Sequence, residues 1–128
     1  AGLLRMSIDK SYLVDLARAG FATVPSIFVS PDEPAEIEDL FSDLGCSEAV
    51  VKPTVAASGF RVRRVERGNR LEASNQYREL LSYGNVMVQP YLASVRETGE
   101  WSLIYLGGKY SHAVLKHPSP DDFRVQEE

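Results

Sequence analysis

Two lysines stand where an ammonium gains little unless an anion comes to meet it. Lys52 ends the β-branched run Val50-Val51 and is followed by Pro53, which forbids helix. Thr54-Val55-Ala56-Ala57-Ser58-Gly59 is then a stretch of small side chains before a second apolar run opens at Phe60-Arg61-Val62. The pattern predicts strand, loop, strand, with the ammonium facing backbone N–H groups that nothing hides, an arrangement suited to polyphosphate. The same residues would also make an ordinary hairpin with a surface lysine. Arg61, Arg63 and Arg64 follow, either collecting phosphate charge beside Lys52 or simply facing water; alternation puts Arg61 and Arg63 on one face, Val62 and Arg64 on the other. Lys10 follows Ser7-Ile8-Asp9, which reads as a helix start with Leu13, Leu16 and Ala17 on the buried face and Gly20 as the stop. A lysine in the first turn meets the positive end of the helix dipole. An anion at that spot would remove the mismatch, and a solvated lysine tolerated at small cost is the alternative.

The elements that would carry these residues are legible in order. Pro25 introduces a short strand, Ser26-Ile27-Phe28-Val29, closed by Ser30-Pro31. Ile37, Leu40, Phe41 and Leu44 have helical spacing and Gly45 ends the helix; Asp32, Glu33, Glu36, Glu38, Asp39 and Asp43 make its outer side an acidic, solvated face. After the turn at Gly68-Asn69, a helix is expected from Leu71 to Leu81, burying Leu71, Tyr77, Leu80 and Leu81 and stopped by Gly84. Val86 to Tyr91 reads as a buried strand, and the polar, turn-like stretch from Ala93 to Gly99 as a hinge between two lobes. Gly107-Gly108 suits a type I′ turn joining Glu100–Leu106 to Lys109–Lys116. Direct pairing across it aligns Tyr105 with Tyr110, Leu103 with His112, Trp101 with Val114 and Gly99 with Lys116, so that Lys116 ends a mostly aromatic face. Phe123-Arg124-Val125-Gln126 reads as one more strand.

Composition narrows the class. The 128 residues are 44% hydrophobic and 25% charged, which fits a folded globular chain and excludes collagen-like, low-complexity and wholly disordered readings. A net charge of -4 argues against nucleic acid as the main partner. Cys46 is the single cysteine, so no internal disulfide forms and a reducing, cytoplasmic setting is the default; no Cys/His cluster has zinc spacing. No apolar run approaches the roughly 18–20 residues of a membrane span and no signal-peptide pattern opens the chain. A start at Ala1 is compatible with processing, a tag remnant or excision from a longer protein. Cys46 after a helix stop reads as a small packing residue, and His112, with no carboxylate partner in the pattern, as a packing or substrate-wall residue.

Taken together, six motifs occur in one order: Asp9-Lys10; Val50-Val51-Lys52-Pro53 with its small-residue loop; Val88-Gln89-Pro90-Tyr91-Leu92; Glu100-Trp101-Ser102-Leu103-Ile104; His112-Ala113-Val114-Leu115-Lys116; and Asp122-Phe123-Arg124-Val125-Gln126. This order resembles the ATP-grasp superfamily, specifically its RimK-like and glutathione-synthetase-like carboxylate-amine ligases. The resemblance implies ATP held between two α+β lobes, a carboxylate activated as an acyl phosphate, and an amine or related nucleophile displacing phosphate. It gives Lys10 and Lys52 the nucleotide phosphates. Gln89 would face the adenine amino group, main-chain groups around Tyr91 and Leu92 would read the adenine edge, and Glu97 would hold the ribose. Lys116 and Arg124 would be the catalytic cations, directed toward the γ-phosphate and the acyl phosphate.

In that family magnesium is held by an aspartate and a later Glu-x-Asn pair on strands beyond the segment matching Phe123 to Gln126. Glu127 and Glu128 do not fit that pattern, so the Mg²⁺ ligands are expected outside this chain. The implied architecture is an α+β ATP-grasp fragment with small mixed or antiparallel sheets and helices packed on one face. Residues 1–48 would end the preceding domain, 49–97 would form the first lobe and linker, and 98–128 would open a truncated second lobe. The partners implied are ATP and a small-molecule or peptide carboxylate, with neither nucleic acid nor membrane, and the chain alone would be inactive. A protein kinase is excluded: no glycine-rich loop precedes Lys52, no catalytic-loop Asp and Asn follow, and Asp122-Phe123-Arg124 lacks the metal-motif glycine. No Walker loop is present. The alternative from another class is a non-catalytic nucleotide-binding or protein-interaction module, with a homo-oligomer formed through an open sheet edge as a further possibility.

Overall fold

The computed structural model describes residues 8–56 and 60–118. The expected strand at Phe123–Gln126, the proposed helix start at Ser7 and the tip Ala57-Ser58-Gly59 lie outside the described residues. The chain divides after Tyr91 into two compact units.

In the first unit, α1 (Tyr12–Arg18), β1 (Ile27–Val29), α2 (Ile37–Leu44), β2 (Glu48–Pro53), β3 (Arg63–Glu66), α3 (Arg70–Leu81) and β4 (Val86–Pro90) follow in order. The sheet has the order β1-β4-β2-β3 and every pair is antiparallel. Register puts Val29 opposite Val86, Ile27 opposite Val88, Val51 opposite Val88 and Ala49 opposite Val65. These residues therefore share one face. That face packs on Ile37, Leu40 and Phe41 of α2 and on Ala73, Tyr77, Leu80 and Leu81 of α3 to form the core. The α+β class with helices on one face of a small sheet is thus observed. Tyr77 reaches through this layer and donates from its hydroxyl to the Ala35 carbonyl at 3.0 Å. Gly45 ends α2 at φ 62°, the left-handed cap expected of it.

Three expectations are corrected here. The helix begins at Tyr12 with Ser11 as its cap, so Lys10 lies before the first turn rather than in it. Residues 9 and 10 are engaged elsewhere: Asp9 bridges Val55 and the Lys10 N–H donates to the Thr54 carbonyl at 2.9 Å. Leu13 and Leu16 are half-buried, but Ala17 is exposed. On α3, Leu71 is 74% exposed, because the buried stripe Ala73, Tyr77, Leu80, Leu81 runs at i, i+4, i+7, i+8 and position 71 falls off it.

The second unit opens with α4 (Ala93–Thr98), a short helix where a turn-like hinge was expected; Thr98 Oγ1 donates back to the Ser94 carbonyl at 2.7 Å, helical spacing within a polar stretch. β5 (Glu100–Leu106) and β6 (Lys109–Lys116) then form the hairpin, with Gly107 and Gly108 at φ 56° and 77° as a type I′ turn requires. Tyr105 faces Tyr110, their rings edge to face at 5.7 Å. Beyond that pair the register shifts by one residue: Ile104 opposes His112, Leu103 Ala113, Ser102 Val114, Trp101 Leu115 and Glu100 Lys116. Ser111 is the extra residue of a β-bulge. A one-residue slip reverses every side chain beyond it, so His112, Val114 and Lys116 belong to the face of Glu100, Ser102 and Ile104, not to the aromatic face.

Candidate functional site

Lys10 is brought to the end of β2, 42 residues away in sequence from Lys52. Its Nζ donates to the Ala56 carbonyl at 2.7 Å and to the Thr54 carbonyl at 3.4 Å, while the Thr54 N–H donates to the Asn85 carbonyl at 3.0 Å. Partial burial lowers the Lys10 pKa from its ordinary value, opposed by the neighbouring Asp9 carboxylate. Placed before the first turn, the ammonium does not face the helix dipole as expected; it meets neutral carbonyls of the segment that follows Lys52, which ties Lys10 to the small-residue loop.

Register fixes the rest of the first unit. Lys52 opposes Met87 and Val50 opposes Gln89, so Lys52, Val50, Met87 and Gln89 share the face turned away from α2 and α3. Lys52 is half-buried, and Gln89 is 8% exposed. The Gln89 Nε2 donates to Ser26 Oγ at 2.7 Å, which leaves the amide oxygen as its accepting end, the end an adenine amino group requires. Tyr91 donates its N–H to the Glu48 carbonyl at 2.9 Å, so of the main-chain groups expected to read a base edge this donor is already committed. The Tyr91 hydroxyl is buried and meets no hydrogen-bond partner among the described residues.

The basic cluster disperses. Arg61, at φ 55°, stacks on Tyr83 at 3.7 Å and on Phe60 at 5.0 Å. Arg64 lies over the Tyr91 ring at 4.1 Å and donates from Nε to Glu48 Oε2 at 2.9 Å, with Nη2 on the same oxygen. Sequence reasoning missed this arrangement of Arg64, Glu48 and Tyr91, since period two orients Arg64 without revealing that Glu48 and Tyr91 lie beside it. Ser26 as the partner of Gln89 was equally hidden, 63 residues away.

In the second unit, Leu92 precedes α4 and accepts the Val95 N–H at 3.1 Å, and Glu97 is exposed on α4. Lys116 ends β6, half-buried opposite Glu100. Gly99, at φ 85°, sits so close to it that an added Cβ would lie 2.7 Å from the Lys116 carbonyl oxygen. Arg124 lies outside the described residues. His112 is exposed, with Ser111 Oγ 3.0 Å from its Nδ1. Burial pushes the Cys46 thiol pKa up, against smaller lowering by the Glu48 backbone and Arg67. Among the described residues no group of three His, Cys, Asp or Glu is placed to hold a metal, and none of the helices there is long and apolar enough to cross a membrane.

No protein-family model matches the chain. The cycloserine biosynthesis protein DcsG of Streptomyces lavendulae is 39% identical over 118 residues, which are 89% of this chain and 40% of that protein. The crystal structure of D-cycloserine synthetase DcsG matches with a TM-score of 0.83 and 34% identity, covering 94% of this chain and 42% of that one. The chain thus spans about two fifths of the length of these relatives. Likeness of this extent supports the relationship to ATP-grasp ligases that the ordered motifs suggest: in sequence and in fold, the chain is similar to a D-cycloserine synthetase.

Proposed function

We propose that this chain is the ATP-binding portion of an ATP-grasp ligase that activates a carboxylate as an acyl phosphate and passes it to an amine or related nucleophile. The observation that carries this reading is the 39% identity to a cycloserine biosynthesis protein across 89% of the chain. The placement of Lys52 and Gln89 on one sheet face supports it, since a nucleotide needs a cation for phosphate and an acceptor for its amino group. In this reading Lys10 and Lys52 hold phosphates, Gln89, Tyr91 and Leu92 hold the base, Glu97 the ribose, and Lys116 and Arg124 stabilise the transferring phosphoryl group. Among the described residues no group of three His, Cys, Asp or Glu is placed to hold Mg²⁺. D-cycloserine, the product in the relative's name, is a small molecule, so small carboxylic acids come before peptides as substrates to test.

The natural full-length protein, given ATP, Mg²⁺, a panel of small amino-acid-derived acids and hydroxylamine, should release phosphate and yield a hydroxamate from the acyl phosphate. Phosphate release without hydroxamate would point to a different intermediate, and absence of ATP binding would overturn the reading. A second reading, an interaction module, draws on the hairpin: Trp101, Leu103, Tyr105 and Tyr110 are each more than half exposed on one face. A complex that forms without nucleotide and is lost in Trp101→Ser would favour it.

A further inference from the structure

We infer that Arg64 is a positioning residue for the base-reading backbone at Tyr91, and that Glu48 is its partner. The inference rests on the nucleotide-binding reading above and adds two residues that would not touch the nucleotide. Tyr91 is the residue directly after β4, where a strand ends and its backbone would ordinarily loosen. Here it is held twice. Its N–H donates to the Glu48 carbonyl at 2.9 Å, and its ring lies under the Arg64 guanidinium at 4.1 Å. The two holds are joined, because the guanidinium also binds the Glu48 carboxylate through Nε at 2.9 Å and through Nη2. Main chain and side chain of one glutamate, with one arginine, thus fix the Pro90–Tyr91 peptide plane and the Tyr91 ring.

The sheet explains why an arginine is needed. Glu48 and Glu66 face each other directly across β2 and β3, a like-charge pair that would repel. Arg64 lies diagonal to Glu48 on the same face and contacts both carboxylates, with Glu66 at 4.0 Å. Its planar fork can bind a carboxylate edge-on while its face covers an aromatic ring. A lysine could neutralise the charge but would offer no plane for the ring. The Tyr91 N–H bond fixes the trans Pro90–Tyr91 peptide and turns its carbonyl, that of Pro90, away from Glu48; the Pro90 carbonyl and the Leu92 N–H, two residues apart in an extended chain, are the acceptor and donor left to read a purine. An acceptor beside a donor is the pattern that distinguishes adenine from guanine. Their orientation depends on the peptide that Arg64 and Glu48 hold still.

The test uses Arg64→Leu, Arg64→Lys and Glu48→Gln in the natural full-length protein, with three measurements: thermal unfolding, ATP and GTP dissociation constants with Mg²⁺ by calorimetry, and amide exchange at Tyr91 and Leu92 without nucleotide. Arg64→Leu is expected to speed exchange at Tyr91 and to weaken ATP about fivefold to tenfold while GTP changes less, so that base discrimination narrows. Arg64→Lys, keeping the charge without the plane, should restore thermal stability but not discrimination. Discrimination unchanged in Arg64→Leu, or recovered fully in Arg64→Lys, would overturn the inference and leave a structural ion pair. Unchanged exchange at Tyr91 would overturn it without nucleotide. A wild-type protein that binds neither nucleotide would overturn the parent reading and the discrimination arm with it, and accelerated exchange would then report an anchor without that role.

Discussion

At the scale of single residues, Lys10 and Lys52 differ in what each substitution would remove. Lys52→Ala would take a cation from the face that also carries Gln89 and should weaken ATP binding about tenfold, of the size of one charge-assisted contact, whereas Cys46→Ser should leave it unchanged. Calorimetric titration of both variants checks this, and equal affinity would count against Lys52. Lys10 carries a pH signature as well. Its folded pKa lies below the unfolded value, so between the two values the unfolded chain binds more protons and stability rises with pH. The penalty for burying the ammonium is fully present below the folded pKa and is relieved as pH climbs toward the ordinary lysine value of 10.5. Lys10→Met should flatten that alkaline rise in denaturant midpoints; an unchanged slope would assign it to another group. Sequence located both lysines but not their surroundings. That Lys10 meets the carbonyls of Thr54 and Ala56 is a pairing across more than 40 residues, which no local period encodes.

At the scale of elements, the strands and the two core helices were legible because their apolar spacing and their terminating glycines agree, as in Ile37, Leu40, Phe41 and Gly45. What misled was any count that assumed regularity. The hairpin turn was found from Gly107-Gly108, yet the bulge at Ser111 reverses the faces of His112 and Lys116, and no residue type announces it. The short α4 has polar residues and no buried stripe, so its sequence reads as a turn. Gly99 joins α4 to β5 under two constraints, a left-handed φ of 85° and the approach of the Lys116 carbonyl. Gly99→Ala should therefore destabilise the hairpin by about 1–3 kcal/mol and shift the amide resonances around Lys116. Shifts confined to Gly99 and its two neighbours would show that the backbone absorbs the methyl group without cost to Lys116.

At the scale of the whole chain, the α+β class follows from one cooperative apolar layer in the first unit. Phe41 is fully buried at its centre, and Phe41→Ala should cost about 3–5 kcal/mol, a large part of the 5–15 kcal/mol that holds an ordinary domain folded. Urea titration of the wild type and the variant measures it, and a loss under about 1 kcal/mol would mean the core relaxes around the gap. In the second unit Trp101, Leu103 and Tyr105 share one face of the hairpin, a grouping that their alternation indicates more clearly than it indicates the register of the partner strand, and each of the three is exposed.

The bond from Lys10 Nζ to the Ala56 carbonyl has a consequence for how an anion would be received. A phosphate that claimed this ammonium would take it from a carbonyl, so arrival of the guest and untethering of the chain beyond β2 would be a single event. Saturation would then quicken, not slow, the exchange of amides near Ala56, the reverse of the protection that ligands ordinarily confer.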